Sequence, residues 1–94
     1  MSEHEEVRQW ILNTIQLVVD YPKVVKIETA TAEASTKFLI KADPRDVGKV
    51  IGKQGRTSQS LRVLVGAMGK KFHWRFIVEI EDGPDPVDAV TSAK

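Results

Sequence analysis

Cysteine is absent from the 94 residues of the sequence, and histidine occurs only twice, as His4 and His73. The lack of cysteine excludes disulfides, thiolate metal sites and cysteine nucleophiles, and it suits a reducing compartment. Two histidines far apart in the sequence give little basis for a metal site or an imidazole base. We therefore expect no metal and no cofactor.

Long apolar runs are also missing, because no run of apolar side chains exceeds three residues, as in Leu17-Val18-Val19. A helix that spans a bilayer needs about 20 such residues, so no membrane partner is expected. The N-terminal residues are acidic and polar, where a secretory signal would be basic and then apolar. A chain of 94 residues fits one small domain, and we expect it in the cytoplasm.

Excess charge of one sign is lacking as well, since 14 basic residues face 13 acidic ones for a formal net charge of +1. The distribution is nevertheless uneven: both ends are acidic, whereas residues 37–75 carry ten basic side chains against only Asp43 and Asp46. The ten are Lys37, Lys41, Arg45, Lys49, Lys53, Arg56, Arg62, Lys70, Lys71 and Arg75. Such a stretch is either a solvated surface or the binding site of an anionic partner, and charge alone does not separate the two.

Hydrophobic spacing and capping residues predict an alternation of helices and strands. Ser2 and Glu5 form a capping-box pattern ahead of an apolar stripe that ends before Pro22, which predicts a first helix. Asp43-Pro44 predicts the start of a short helix that ends at Gly52. The first helix is predicted over 3–20. The remaining elements are strands near 25–29 and 37–41, a third helix over 57–70 and a strand over 74–80.

This order, αββααβ, predicts an α+β domain in which three helices pack on one face of a three-stranded sheet. Beyond residue 82 the sequence is rich in acidic residues, proline and small residues. Such a segment has too little apolar surface to order itself well. We therefore expect one domain over residues 3–82 and an acidic, flexible tail containing proline and glycine over 83–94.

The segment Gly52-Lys53-Gln54-Gly55 joins two predicted helices in the middle of the basic stretch. Glycine lacks the Cβ that would keep a phosphate away, and free amides at the start of the following helix favour anions. Lys53 and Arg56, with Lys49 one turn earlier, supply positive charge. The loop is therefore predicted to bind phosphate, although a GxxG sequence alone is more often a plain turn between packed helices.

Apolar residues beside the loop complete a predicted groove for a single strand of nucleic acid. Val50, Ile51 and Ile40 would support the bases, while Lys37 and Lys41 would hold the backbone on the opposite rim. The aromatic side chains lie on stripes predicted to face the core, so no stacking platform is expected.

A GxxG loop between two helices, after a hairpin and before a last strand, resembles a KH domain, and the order over residues 4–81 is similar to the type II arrangement. The sequence from Val50 to Thr57, with Ser60-Leu61-Arg62 downstream, looks like the small bacterial KhpA-type RNA-binding proteins. The resemblance implies a mixed sheet, a loop that clamps about four nucleotides of single strand, and pairing with itself or with another KH-containing protein. Ser58 departs from the pattern, which commonly has an aliphatic residue there, and this bears on how the first turn of the third helix packs.

We therefore predict a non-catalytic protein that binds single-stranded RNA through the GxxG loop, as a post-transcriptional regulator or RNA chaperone. The predicted RNA-binding residues are Ile40, Lys41, Lys49, Val50, Ile51, Gly52, Lys53, Gln54, Gly55 and Arg56. No enzyme is expected, since no histidine, carboxylate and nucleophile converge, and Asp43 and Asp46 fit capping roles. The alternative is a protein-interaction module with a KH fold and little RNA affinity, which the lysine at position 53 disfavours.

Overall fold

A computed structural model describes residues 3–81 and has the main elements in the predicted order αββααβ. They are α1 (Glu3–Gln16), β1 (Lys26–Ala32), β2 (Ser35–Lys41), α2 (Val47–Ile51), α3 (Arg56–Lys71) and β3 (Arg75–Ile80). Short 3-10 turns occupy Pro22–Val24, Pro44–Asp46 and Lys53–Gly55. The predicted cap Ser2 and the predicted tail over 83–94, together with residue 82, lie outside the described residues.

The three strands form one mixed sheet in the order β1-β2-β3, as the resemblance implied. β1 and β2 form an antiparallel hairpin in which Ile27 lies opposite Ile40. β3 joins the other edge of β2 in parallel, with Val78 opposite Phe38. A parallel pair needs a long crossover connection, and here α2 and α3 provide it.

The helices cover one face of this sheet, which confirms the predicted α+β architecture. Along β2, Thr36, Phe38 and Ile40 are buried, whereas the side chains between them face away from the helices. The Phe38 and Phe76 rings meet edge to face, with centroids 5.3 Å apart. Buried apolar residues of α1 and α3 complete the core: Val7, Ile11, Ile15, Leu61 and Val65. Among residues 3–81, no helix combines the length and apolar character needed to cross a bilayer.

The end of α1 was predicted wrongly, because the helix stops at Gln16 and not near residue 20. The cause is Asp46, whose side chain is fully buried. Its carboxylate accepts hydrogen bonds from the backbone N–H groups of Asp20 (3.2 Å) and Tyr21 (2.9 Å). A buried carboxylate needs such donors, and these two amides reach it only if the chain has already left the helix.

The capping roles predicted for Asp43 and Asp46 are therefore of different kinds. Asp43 caps its own turn, since its carboxylate accepts from the Arg45 backbone N–H at 2.9 Å. Asp46 makes no side-chain hydrogen bond to the helix it precedes and instead fastens the α1–β1 connection to the start of α2. This contact fixes α2, and with it the bend that follows.

Candidate nucleic-acid interface

The bend after α2 begins at Gly52, where the backbone leaves the helix. The Gly52 N–H still donates to the Gly48 carbonyl at 2.8 Å, but its φ of 84° and ψ of 166° lie outside the range of ordinary L-residues. A Cβ at this position would also collide with the Thr57 side chain. Glycine is thus required at position 52 by both conformation and space.

The turn closes through two left-handed residues, Gln54 (φ 58°) and Gly55 (φ 73°). The Gly55 N–H donates to the Gly52 carbonyl at 3.0 Å, so the four residues fold back on themselves. Nothing lies within 4 Å of the point where a Gly55 Cβ would stand. The outer side of the bend is therefore open to a ligand's backbone.

The two residues between the glycines are exposed, as is Arg56. Lys53 and Arg56 have no carboxylate within ion-pair distance among residues 3–81. Within residues 3–81 the Lys53 and Gln54 N–H groups donate to no backbone carbonyl, and Gln54 interrupts the 3-10 turn with left-handed dihedrals. Bare N–H groups beside an uncompensated cation are suited to a phosphate oxygen.

Ser58 supports the bend through a hydrogen bond. This bond accounts for a serine at a position where the family pattern commonly has an aliphatic residue. Its side chain is 4% exposed, and its hydroxyl donates to the Gly55 carbonyl at 3.1 Å. Arg62 lies one turn further on; its Nη1 is 3.5 Å from the Ser58 hydroxyl and its Nε donates to the Val78 carbonyl at 3.3 Å. The first turn of α3 is thus packed through hydrogen bonds that tie the loop to β3. Sequence reasoning missed both supporting roles, because neither acceptor is visible without the fold.

The apolar residues predicted to support bases lie at two depths. Val50 and Ile40 are fully buried in the core, so neither presents a surface to a ligand. Ile51, by contrast, is half-buried at the edge of the bend. Of these three residues, only Ile51 has exposed surface, and the other two belong to the core.

The cations that precede the bend are occupied by acidic side chains. Lys49 Nζ lies 3.3 Å from an Asp20 carboxylate oxygen, and Lys37 Nζ lies 3.4 Å from Glu79. Lys41 Nζ lies 3.1 Å from Glu28, and this hydrogen bond raises the pKa of Lys41. Lys37 and Lys41 also belong to the sheet face turned away from the helices.

The chemical groups at the bend are suited to holding an anion. Its functional groups are backbone amides, one lysine, one arginine and an apolar edge at Ile51. Within residues 3–81 no group of three histidine, cysteine or acidic side chains is close enough to hold a metal ion. Such a set binds by position and charge.

Comparisons with family models and with individual known proteins identify the same family. The model described as "KhpA/KhpB, KH domain" matches residues 8–80. The chain is similar to proteins named "RNA-binding protein KhpA": the one from Clostridium acetobutylicum is 41% identical over 71 residues, which cover 74% of this chain and 95% of the relative. The relative from Aquifex aeolicus is 36% identical over 67 residues (71% of this chain, 85% of the relative). That from Borreliella burgdorferi is 33% identical over 82 residues (87% of this chain, 100% of the relative). No solved structure matches significantly.

Proposed function

The chain belongs to the KhpA/KhpB family of KH domains, and from this premise we propose that it binds single-stranded RNA at the bend of residues 52–55. The proposal extends to a cytoplasmic, non-catalytic role as a post-transcriptional regulator or RNA chaperone. The observation that carries it is the exposed Lys53 on a left-handed bend, with no acidic partner among the described residues.

In this mechanism the loop holds the sugar-phosphate chain. The Lys53 and Gln54 amides and the Lys53 ammonium contact successive phosphates, and Arg56 adds attraction at longer range. Ile51 offers an apolar edge to the bases. Because phosphates carry no sequence information, contacts of this kind give low intrinsic selectivity.

A second candidate function is pairing with a copy of the chain or with another KH-containing protein. It is supported by apolar side chains exposed to solvent just after α1 and on α3, among them Leu17, Val63 and Leu64. Large apolar side chains left in solvent are candidates for a protein contact. This candidate is compatible with RNA binding, since none of these three side chains belongs to the bend.

The test of the loop is the double variant Lys53→Asp with Gln54→Asp. Both side chains are exposed, and aspartate tolerates the left-handed conformation of residue 54, so the fold is expected to persist by circular dichroism. The affinity for a fluorescent oligouridylate should fall by at least about tenfold, because a bound phosphate would then face two carboxylates. The matched control is Lys23→Asp with Val24→Asp, which makes the same change of charge in another 3-10 turn.

Full RNA affinity in the folded loop variant, equal to that of the control, would refute the loop assignment. If the unmodified chain binds no RNA and self-associates, the interaction module is the correct function.

A further inference from the structure

We propose that the acidic segment after β3 binds the bend of residues 52–55 in the free protein and competes there with RNA. The segment comprises residues 82–88 and carries Asp82, Asp85 and Asp88. The competition rests on the proposed function for the identity of the displaced ligand. The contact itself concerns this chain alone and is testable without RNA.

The point where the chain leaves the sheet lies at the same end of the fold as the bend. The Glu81 N–H donates to the Ile40 carbonyl at 2.9 Å, so the chain is held to the sheet as far as residue 81. α3 runs antiparallel to β3, because Arg62 in its first half bonds the Val78 carbonyl, whereas Gly69 near its end lies against the start of the strand. The bend that precedes α3 is therefore close to the residues that follow β3.

Three short contacts connect the end of β3 to the bend. The Arg62 Nε donates to the Val78 carbonyl at 3.3 Å, and the Nη1 of the same side chain lies 3.5 Å from the Ser58 hydroxyl. That hydroxyl donates to the Gly55 carbonyl at 3.1 Å. The acidic segment thus begins within one side chain's length of the helix turn that carries the bend.

The segment is long enough to bring its carboxylates to the bend. An extended chain spans about 3.3–3.6 Å per residue, which gives Asp85 a reach of roughly 14 Å and Asp88 a reach of roughly 24 Å from residue 81. The cations at the other end of α3, Lys70 and Lys71, lie about 21 Å further along the helix. The bend is therefore the closer target.

The bend offers an acidic segment the groups that would hold a phosphate. Lys53 and Arg56 are exposed and have no ion-pair partner among residues 3–81. The space around the position of a Gly55 Cβ is open, so a second backbone can approach there. A carboxylate has the negative charge and the acceptor oxygens that such a site selects. Charge complementarity therefore favours the acidic segment as the occupant when RNA is absent.

The residues at the end of the domain agree with this role. The Glu81 carboxylate already lies 3.7 Å from Lys41 Nζ, so the first acidic side chain after β3 pairs with the basic stretch. The family model ends at residue 80, and the three aspartates lie beyond it. A role for this segment is therefore a property of this chain and not of the matched domain.

The competition should be modest and sensitive to salt. Exposed ion pairs are individually weak, but a tether of a few residues keeps the carboxylates at a local concentration in the millimolar range. We expect the segment to lower RNA affinity by about threefold at about 0.1 M salt. At about 0.5 M salt the effect should disappear, because exposed charges are then screened.

The contact is tested first in the RNA-free protein, through paramagnetic broadening of backbone amide signals. Because the sequence has no cysteine, Ala89→Cys provides a single site for a nitroxide label next to Asp88. We expect the label to broaden the amide signals of the bend, and an added oligouridylate to restore them. When Asp82→Asn, Asp85→Asn and Asp88→Asn are combined, the same label should leave the bend signals sharp.

The competition is tested next through the affinity for a fluorescent oligouridylate of about six nucleotides, near the span of the loop. At about 0.1 M salt, where charges beyond about 10 Å are largely screened, the triple asparagine variant should bind about threefold more tightly than the parent. The gain should vanish at about 0.5 M salt.

The matched control combines Glu3→Gln, Glu6→Gln and Glu33→Gln, which make the same change of net charge at exposed positions. These residues lie near the start of β3, as the contacts of the neighbouring His4 and Ala34 with that strand show. The control should bind the oligouridylate as the parent does.

The proposal is overturned if the label leaves the bend signals as sharp in the parent as in the asparagine variant, or broadens both ends of α3 equally. It is also overturned if the control gains as much affinity as the variant, because net charge would then explain the gain. RNA binding with sharp bend signals refutes the contact and leaves the loop function intact. Broadened bend signals in a chain that binds no RNA refute the proposed function and the competition, and leave the contact standing.

Discussion

The basic stretch divides at Gly52 into two regions whose cations differ in what surrounds them. Before the bend, Lys37, Lys41, Arg45 and Lys49 each lie within 4.0 Å of a carboxylate. After it, the cations from Lys53 to Arg75 have no ion-pair partner among residues 3–81; Arg62 instead donates to backbone and hydroxyl oxygens. The comparison teaches that a basic stretch of sequence leaves cations available to an anionic ligand only where the fold places no carboxylate beside them.

The first region instead uses its charges to hold the chain together. Arg45 pairs with Asp43 and lies over the Tyr21 ring, its guanidinium carbon 3.7 Å from the ring centroid. With the Asp46 hydrogen bonds, these contacts join the α1–β1 connection to the start of α2. We therefore expect substitutions before the bend to change mainly stability, and substitutions after it to change mainly RNA affinity.

The largest effect is expected from Asp46→Ala, a substitution before the bend that should lower the stability of the fold. It removes the charged acceptor of the Asp20 and Tyr21 amides, and a hydrogen bond to a charged group contributes about 1.5–3 kcal/mol. We expect the free energy of unfolding in urea to fall by about 2–3 kcal/mol. Asp46→Asn keeps one acceptor oxygen and should lose less. A loss below about 0.5 kcal/mol for the alanine variant would contradict the role given to this carboxylate.

A smaller effect is expected from Asp20→Asn, which removes the acidic partner of Lys49. Lys49 would then be unpaired, like the cations after the bend. The Lys49–Asp20 pair is exposed, and pairs of this kind contribute about 0–1 kcal/mol, so stability should change little. Lys49 would then be available to phosphate, and we expect RNA affinity at low salt to rise about two- to threefold. Asp20→Asn combined with Lys49→Gln is the control, since it should abolish the gain. If the single variant gains nothing, Lys49 does not lie on the RNA path.

The smallest effect is expected in the pH dependence of stability at Asp43. Hydrogen bonds from the Arg45 side chain, and then from its backbone N–H, lower the pKa of Asp43 from 3.8 to about 2. Because the pKa is lower in the folded state, this carboxylate stabilises the fold above about pH 4, and the contribution is lost as the pH falls towards 2. Asp43→Asn should therefore flatten urea midpoints between pH 4 and pH 2 relative to the parent. Parallel curves would contradict the assignment.

Much of the fold could be predicted from the sequence because its signals are local. The alternation of Lys37 to Lys41, the Asp43-Pro44 start and the Gly52–Gly55 bend each depend on neighbouring residues. The mixed sheet came only from the family resemblance, since strand direction is a property of the crossover. The end of α1 was missed because its cause, Asp46, lies 26 residues away from Asp20.

The candidate site was harder to predict, since a groove depends on depth and on partners. Val50 and Ile40 fit an apolar wall by residue type, and only the packing shows that both are covered. The ion pair between Lys37 and Glu79 follows from the parallel register of β2 and β3, which no local sequence pattern encodes. Ser58 was identified as a departure, but its bond to the Gly55 carbonyl required the turn geometry.

The central claim, that the bend of residues 52–55 holds phosphates, is tested most directly by the salt dependence of binding. With about four phosphates neutralised on a single strand, the logarithm of the association constant should fall against the logarithm of salt concentration with a slope of about −3. The Lys53→Asp, Gln54→Asp variant should show a clearly shallower slope. A parent whose affinity for oligouridylate does not change with salt would contradict the account.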